Sequence, residues 1–305
     1  MKAIVTGADG FVGSAVIKEL RNSGYDILAI DLSPTPRRIV IDSHIRYYSH
    51  SIENLDFLSM VVSKGECDFF FHFAWRGSAG PERSDEKIQL TNALQTVNCL
   101  RKAAEIGCKR FICAGSIMEF ETNQAIYGQG TAPGLAYIYG AGKTIAHEIC
   151  KPIANSLGID LLWTYITNAY GIGESSPRFL NTMLKKIIHG DSLEFTSGTQ
   201  NYDFIYVSDV AKAFRLIAER GHANKGYLIG SGKAKPLRSF VEDIIDELKP
   251  VQKPLFGNIP YTGVMTPIET YQISDLQNDC GFCPSIPFKK GVRMTFEWLK
   301  GVKND

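Results

Sequence analysis

Short apolar runs alternate with longer segments of helical period through the first half of the chain. Most of the apolar runs are continuous, which is typical of strands that are buried on both faces of a parallel sheet. They predict strands over 2–6, 25–31, 45–48, 67–74, 110–115 and 160–167. The segments of helical period predict helices over 11–23, 54–63, 87–106, 137–157 and 177–189. Strands that alternate with helices in this way predict an α/β fold with a doubly wound parallel sheet.

The alternation loosens after about residue 168, where Pro, Gly and short apolar runs become commoner. Residues 203–219 and 226–230 predict one further helix and strand. We therefore expect a large domain formed by 1–168 plus about 203–232. We expect a smaller C-terminal α/β lobe, formed by about 169–202 and 233–305, to bind the substrate. Ligands of open α/β sheets bind at the carboxyl ends of the strands, so the cleft between the lobes is the expected site.

Charge and composition exclude several classes of function. The 305 residues carry a formal net charge of +1, which provides no field for nucleic acid or a membrane surface. The longest apolar stretch, DFFFHFAW, is too short to span a bilayer and contains a histidine. The N-terminal residues run directly into a glycine turn, without the apolar segment of a secretory signal. These features predict a cytoplasmic protein that acts on a small molecule.

The seven cysteines predict reduced thiols rather than disulfides or a metal site. Their number is odd and most of them lie within apolar runs, as expected for a protein of a reducing compartment. Cys280 and Cys283 have the spacing of a redox or zinc pair, but a structural zinc site needs two further ligands. The sequence offers no second pair nearby, so we expect both cysteines to serve packing.

A glycine turn near the N-terminus predicts a dinucleotide site on a Rossmann-type domain. Gly7, Gly10 and Gly13 follow the first predicted strand and open the first predicted helix. Such glycines allow a tight bend, a close approach of backbone to a pyrophosphate, and close packing of helix on strand. Asp31 closes the second predicted strand, where a carboxylate accepts ribose hydroxyls and favours NAD over NADP. Two arginines at 37–38 are suited to binding a 2′-phosphate, so NADP remains an alternative cofactor.

A second group of residues has the chemistry of proton transfer at a carbinol oxygen. Tyr139 and Lys143 are four residues apart, and Ser116 follows the fifth predicted strand. A tyrosine hydroxyl, with an ordinary pKa of about 10, is a weak base at neutral pH. A neighbouring ammonium and a positive nicotinamide ring both favour the phenolate. Taken alone, without the glycine turn, the Tyr-x-x-x-Lys pair indicates only one face of an ordinary helix.

Taken together, these motifs resemble the extended short-chain dehydrogenase/reductase family, the NAD-dependent epimerase/dehydratases. FHFAW at 71–75 resembles the family's H-x-A-A strand end, and Asn92 resembles the Asn of its N-x-x-G-T helix. ITNAYGIG at 166–173 resembles its F-N-x-Y-G-P loop, and YDFIYVSDVA at 202–211 resembles its R-D-F-x-x-V-x-D-x-A segment. The resemblance covers residues 3 to about 211.

The resemblance implies roles for individual residues. Tyr139 is expected to be the acid/base, Lys143 its modulator and a ribose ligand, and Ser116 the residue that orients the substrate oxygen. His72 is expected to be structural, and Tyr137 to be a rim or packing residue. The cofactor is expected to contact Gly7, Gly10, Phe11, Val12, Gly13, Asp31, Phe73, Ala74, Trp75, Asn92, Tyr139, Lys143 and Ile166. The resemblance also implies a homodimer formed by helices 87–106 and 137–157.

The residues after Ser116 bear on the type of reaction. Family members that are dehydratases carry Asp-Glu there, whereas this chain has Ile117 and Met118, which neither donate nor accept a proton. Glu119 comes one position late and is expected to point elsewhere. Trp75 resembles the variant of 4-keto-6-deoxysugar reductases, which favours a reductase. A nucleotide-sugar 4-epimerase with retained NAD and a non-catalytic dinucleotide sensor remain the alternatives.

The arginines with which the family usually holds a nucleotide diphosphate are missing from their places. Tyr202 replaces the Arg of R-D-F and is expected to contact the substrate from that position, and the late segment offers no second arginine. Because a pyrophosphate needs cations or helix N-termini, Arg76, Arg83 and Arg178 are the candidates. Asn168 matches the family Asn that reaches the phosphates. The expected substrate is therefore a nucleotide sugar held differently, or a smaller keto or hydroxy compound.

Overall fold

A computed structural model describes residues 1–301 and shows alternating strands and helices through most of the chain. The strands are β1 (Lys2–Thr6), β2 (Asp26–Asp31), β3 (Ile45–Ser49), β4 (Phe69–His72), β5 (Arg110–Ser116), β6 (Asp160–Ile166), β7 (Asn168–Tyr170), β8 (Leu193–Phe195), β9 (Asn201–Tyr202), β10 (Phe204–Tyr206), β11 (Gly226–Ile229), β12 (Lys235–Pro236) and β13 (Pro254–Phe256). The helices are α1 (Phe11–Asn22), α2 (Leu58–Val61), α3 (Glu86–Glu105), α4 (Met118–Tyr127), α5 (Ile138–Leu157), α6 (Phe179–His189), α7 (Val207–Arg220), α8 (Leu237–Leu248), α9 (Ser274–Cys280) and α10 (Phe288–Gly301).

The main sheet has seven strands in the order β11-β6-β5-β4-β1-β2-β3, and every neighbouring pair is parallel. The strand order reverses beside β1, which pairs with β2 on one side and with β4 on the other. This arrangement confirms the predicted Rossmann-type doubly wound sheet. At such a reversal the connections leave in opposite directions, so a crevice opens at the carboxyl ends of β1 and β4.

Helices cover both faces of the sheet. Successive residues of β4 point to opposite faces, so Phe71 packs on one side and Phe70 on the other. On the first face Val16 of α1 and Phe214 of α7 join the apolar core. On the second face Leu100 of α3 lies in a core that α5 completes. Burial on both faces explains why the strand sequences are continuous apolar runs.

A third apolar cluster lies in the C-terminal half, among short strands paired two by two as β10-β7, β12-β9 and β13-β8. Its core includes Leu184 of α6, Phe204 of β10, Phe240 of α8 and Val292 of α10. Phe11 of α1 packs against this cluster, so the first turn of α1 touches both halves of the molecule. The division of the chain into two domains at the expected boundaries stays a prediction.

Several helices differ from the sequence-based expectation, and α8, α9 and α10 lie in a part of the chain for which no individual helix was expected. The helix expected over 54–63 is reduced to α2, because Asn54 accepts the Asp56 N–H in a local turn and the backbone is extended at Val62. The helix α4 has no counterpart among the expected helices. Its buried residues include the polar Glu119 and Thr122, so it has no apolar stripe from which to predict it.

The cysteines within residues 1–301 are unpaired thiols, and all of them except the exposed Cys283 are buried. Over the same residues no group of three or more His, Cys, Asp or Glu side chains is arranged to hold a metal ion. None of the helices described there is both long and apolar enough to cross a bilayer.

Candidate active site

A cavity of about 650 Å³ opens at the carboxyl ends of the central strands of the main sheet. It extends from the turn after β1 to the start of α5 and reaches the segment before α6. The predicted residues that line it are Gly7, Gly10, Phe11, Val12, Gly13, Asp31, Phe73, Ala74, Trp75, Arg76, Asn92, Ser116, Tyr139, Lys143, Ile166 and Arg178. Residues far apart in the sequence therefore meet in one space at the edge where an α/β sheet binds ligands.

The glycine turn leaves no room for side chains. Gly7 has a φ of +66°, and a Cβ there would lie 2.5 Å from the backbone nitrogen of Ala74. A Cβ on Gly13 would lie 2.1 Å from the carbonyl oxygen of Gly7. The backbone of the turn thus forms a bare surface in front of the N-terminus of α1, where a pyrophosphate finds N–H groups and a favourable dipole. This cradle, which any side chain would fill, fits a dinucleotide.

Asp31 lies at the end of β2, beside the glycine turn. One of its carboxylate oxygens accepts the Asp9 N–H at 3.0 Å and the other accepts the Ser33 N–H at 3.1 Å. Each oxygen keeps a lone pair for a ribose hydroxyl. Arg38 also lines the cavity, and its guanidinium donates to the carbonyl oxygens of Asp9 and Gly173 at 3.1 and 3.3 Å.

Ser116 ends β5 and is held from two sides. Its Oγ accepts the Met118 N–H at 3.2 Å, which leaves the hydroxyl proton free to be donated into the cavity. Its own N–H donates to Glu119 at 2.8 Å. The Glu119 carboxylate is 3% exposed and also accepts the indole N–H of Trp163, with His147 3.9 Å away. Burial raises the pKa of Glu119 to about 7, against the two hydrogen bonds that favour its ionised form.

Tyr139 and Lys143 lie in the first turns of α5, and both are buried. The Lys143 ammonium donates to the Ala114 carbonyl oxygen at 2.6 Å and lies 3.5 Å from the centre of the Trp75 ring. Trp75 meets the Tyr139 ring edge-on, with centroids 6.2 Å apart. Tyr139 and Lys143 are therefore packed against the strand end that follows β4. The guanidinium of Arg83 covers the Tyr139 ring, 4.2 Å from its centre.

Two polar residues of α3 fix the strand end that carries Trp75. The Asn92 amide bonds both backbone groups of Arg76, accepting the N–H at 3.1 Å and donating to the carbonyl at 2.7 Å. Gln89, which sequence reasoning did not single out, accepts the Trp75 indole N–H at 2.8 Å and donates to the Gly77 carbonyl. Gln89 stands three residues before Asn92, on the same helix face, and this spacing was the available signal.

The residues expected to bind substrate are not all in one place. Arg76 and Arg178 line the cavity, although Arg76 pairs with Glu82 and Arg178 lies 3.4 Å from Glu174. Asn168 and Tyr202 are not among the cavity-lining residues of 1–301. Both N–H groups of Asn168, backbone and amide, donate to the Asp203 carbonyl oxygen at 3.0 Å. Tyr202 packs on aromatic neighbours, and burial raises its pKa to about 12.

His72 lies behind the site and is structural in its contacts. Its ring nitrogens hydrogen-bond the hydroxyls of Thr6 and Thr96 at 2.8 and 3.1 Å. Burial lowers its pKa to about 3, so the ring is neutral at physiological pH. Tyr137 accepts the Val264 N–H at 3.1 Å and so ties the start of α5 to the loop after β13.

Comparison with known proteins gives one family. A family model described as the NAD dependent epimerase/dehydratase family matches residues 3–230. The chain is 27% identical to a UDP-N-acetyl-alpha-D-glucosaminuronate decarboxylase from Bacillus cytotoxicus, over 100% of this chain and 99% of that protein. It is also 27% identical to a dTDP-6-deoxy-L-talose 4-dehydrogenase (NAD(+)) from Aggregatibacter actinomycetemcomitans, over 85% of this chain and 95% of that protein.

A similar fold is found among solved structures. The structure of a UDP-glucose 4-epimerase from Thermotoga maritima, determined with UDP-glucose, superimposes with a TM-score of 0.81. The match covers 99% of both chains at 21% sequence identity. At this identity the likeness concerns the fold, and it agrees with the doubly wound sheet described above.

The glycine turn yields a prediction about cofactor binding. In Gly13→Ala the added methyl group meets the Gly7 carbonyl, so the backbone must shift away from the pyrophosphate position. We expect the Kd for NAD, measured by calorimetry, to rise about tenfold or more. Gly134→Ala is the matched control, because Gly134 has an ordinary φ and no atom within 4 Å of its added Cβ. Equal Kd values for Gly13→Ala and the unchanged protein would contradict the prediction.

The buried Glu119 yields a prediction about stability. The pKa of Glu119 is about 7 in the folded protein against an ordinary 4.5, so the folded state retains a proton that the unfolded chain loses between these values. This contribution makes the free energy of unfolding fall as the pH rises from about 4.5 to 7. Glu119→Gln has no such ionisation. The free energy of unfolding of this variant, relative to that of the unchanged protein, should therefore increase by on the order of 1–3 kcal/mol between pH 5 and pH 8.

Urea unfolding at a series of pH values measures this difference. Glu148→Gln, an exposed replacement on the neighbouring helix α5, is the control and should show no such trend. A difference between Glu119→Gln and the unchanged protein that stays constant with pH would mean that Glu119 is ionised throughout.

Proposed function

The chain belongs to the NAD-dependent epimerase/dehydratase family, and we propose that it acts on a hydroxyl or keto carbon of a nucleotide-diphosphate sugar. The favoured reaction is the NAD-dependent reduction of a 4-keto-6-deoxysugar. The observation that carries this proposal is the meeting of Ser116, Tyr139 and Lys143 in the cavity that the glycine turn borders.

Cofactor binding is assigned to the residues at the ends of β1 and β2. The bare backbone of the glycine turn and the N-terminus of α1 would hold the pyrophosphate, and Asp31 the adenosine ribose. A 2′-phosphate would bring negative charge against Asp31, and the Arg38 guanidinium is engaged by two carbonyl oxygens. These contacts support NAD over NADP. When bound, the nicotinamide exchanges a hydride with the reacting carbon of the substrate.

The chain's own residues then handle the proton at the substrate oxygen. Tyr139 donates its hydroxyl proton to that oxygen in reduction and takes it back in oxidation. Lys143 places a positive charge one helical turn away and favours the phenolate. Ser116 donates a hydrogen bond from its hydroxyl to the same oxygen and so orients that oxygen. Glu119 holds the Ser116 backbone in place.

Three observations favour a reductase over other reactions of the family. Ile117 and Met118 follow Ser116, and neither side chain can move a proton, which argues against dehydration. A relative with 27% identity is named as a 4-dehydrogenase of a dTDP-6-deoxysugar, whose reverse reaction is the reduction of a 4-keto-6-deoxysugar. Trp75, which resembles the variant of 4-keto-6-deoxysugar reductases, holds the Lys143 ammonium on its ring and meets the Tyr139 ring edge-on.

The nucleotide end of the substrate is assigned to the side of the cavity next to α6. Arg178 is 42% exposed on its side chain and lies at the N-terminus of α6, where cations and free N–H groups attract a pyrophosphate. Arg76, in the segment after β4, is paired with Glu82 and would have to leave it to reach a phosphate. Asn168 and Tyr202 contribute through packing rather than direct contact in this proposal.

The assembly is proposed to be a homodimer that pairs α3 and α5. Leu90 and Leu94 on α3 are 52% and 62% exposed, and Ile149 on α5 is 44% exposed. Apolar side chains in such a row are typical of a helix that packs on a partner. The buried unpaired cysteines support a location in the reducing cytoplasm.

Tyr139→Phe tests the chemistry. The variant keeps the ring and its contacts but has no proton to transfer, so we expect turnover to fall by about 10²–10⁴-fold. The Kd for NAD should stay within about twofold, because the hydroxyl is not needed for the glycine-turn contacts. Turnover is followed by the loss of NADH absorbance after addition of a nucleotide-linked 4-keto-6-deoxysugar. Near-normal rates in the variant would remove Tyr139 from the mechanism.

The same assay separates the two reactions. Stoichiometric oxidation of added NADH supports the reductase. Cofactor that copurifies with the protein, with conversion of a nucleotide sugar and no net change in NADH, supports the 4-epimerase instead.

A further inference from the structure

We propose that Arg83 is an electrostatic partner of Tyr139, which stabilises the tyrosine phenolate by placing a guanidinium on the face of its ring. Arg83 lies in the short turn Pro81–Ser84, between β4 and α3. Its guanidinium carbon is 4.2 Å from the centre of the Tyr139 ring. The inference rests on the proposed function, in that it concerns the residue to which proton transfer is assigned.

The setting of Arg83 differs from that of the other arginines near the cavity. Arg76 pairs with Glu82, and Arg178 lies within 4 Å of Glu174. Among residues 1–301 no carboxylate oxygen lies within 4.0 Å of Arg83, and its one hydrogen-bond acceptor is the Ser78 carbonyl at 2.9 Å. A half-buried guanidinium without an ion pair is costly, so its position calls for another source of stabilisation.

The ring of Tyr139 supplies that stabilisation in unequal amounts for its two protonation states. The face of a neutral phenol attracts a cation through the ring quadrupole. A phenolate adds a full negative charge, part of which spreads into the ring, so the attraction becomes one between opposite charges in a site of low dielectric. An interaction that is stronger for the charged form shifts the equilibrium toward that form. Arg83 thus acts in the same direction as Lys143.

Several other charged and titratable groups face this pair. On the side of Tyr139 this is Lys143 of the same helix, which lines the same cavity. Around Arg83 they are Glu121 of α4, Arg178 before α6 and Tyr202 of β9, each near enough to influence the pKa of Arg83. Burial raises the pKa of Glu121 to about 7, and Arg83 opposes this rise.

Glu121 therefore adds its own titration near neutral pH. A rate profile alone would mix the two ionisations, so the ionisation of Tyr139 has to be observed directly. Observation of the tyrosine also needs no sugar substrate, which keeps this test separate from the identity of the reaction.

The experiment uses the protein labelled with ¹³C at the ζ carbon of its tyrosines and saturated with NAD. The resonance that disappears in Tyr139→Phe identifies Tyr139, and its chemical shift is followed as a function of pH. In Arg83→Met we expect the midpoint of the transition to move upward by about one pH unit. In Arg83→Lys, which keeps a cation, the movement should be smaller.

The control variant removes a similar contact between an arginine and an aromatic ring outside the site. The Arg238 guanidinium lies 4.4 Å over the ring of Phe256 in the C-terminal half, so Arg238→Met removes the same kind of interaction without touching the site. Its Tyr139 midpoint should equal that of the unchanged protein. If Arg83→Met loses NAD binding or folding, Arg83→Gln retains a donor for the Ser78 carbonyl and takes its place.

Steady-state kinetics give a second readout. In the pH profile of kcat/KM, the limb that belongs to Tyr139 should move to higher pH by the same amount, whichever direction of the reaction is followed. An unchanged Tyr139 midpoint with a raised KM would mean that Arg83 only binds substrate, and would overturn the proposal. Equal effects of Arg83→Met and Arg83→Lys on the midpoint would overturn it in favour of packing. If Tyr139→Phe retained its turnover, the proposed function would fail while the shift of the midpoint could still be seen.

Discussion

The turn after β1 passes so close to the end of β4 that a side chain at Gly7 would meet the Ala74 backbone at 2.5 Å. The rest of the site depends on this approach. It brings the N-terminus of α1, which attracts phosphate, next to the strand end that carries Trp75. Trp75 in turn contacts both Tyr139 and Lys143, so the glycine turn and the pair to which we assign proton transfer share one wall. A larger residue at Gly7 would separate them.

Around this wall the protein buries several charged groups in a space from which much of the water is excluded. Lys143 is held by a carbonyl and an indole ring, Glu119 by the Ser116 N–H and Trp163, and Arg83 by a carbonyl and the Tyr139 ring. In such a setting each charge acts strongly on its neighbours, and each costs stability when its partner is removed. The positive groups are those next to Tyr139, as expected for the proton transfer that we propose for this residue.

The sequence predicted the parts of this arrangement that follow from periodicity and fixed spacing. The strands of the sheet, the long helices α3 and α5 and the glycine turn were all visible as patterns, and the doubly wound sheet is confirmed. The helix α4 was missed because its inward face carries Glu119 and Thr122 rather than an apolar stripe. The contact between Arg83 and Tyr139 joins residues 56 positions apart through an irregular turn, and no local pattern encodes it. Its place depends on tertiary packing alone.

The most direct test of the central claim is the fate of deuterium in NADH whose reactive carbon carries deuterium at both hydrogen positions, so that transfer from either face carries the label. The protein is incubated with this NADH and a nucleotide-linked 4-keto-6-deoxysugar, and the products are examined by mass spectrometry and NMR. A reductase transfers the deuterium to the former keto carbon of the sugar, in equal amount to the NAD formed. Sugar without deuterium, alongside NADH that keeps its label, would contradict the assignment.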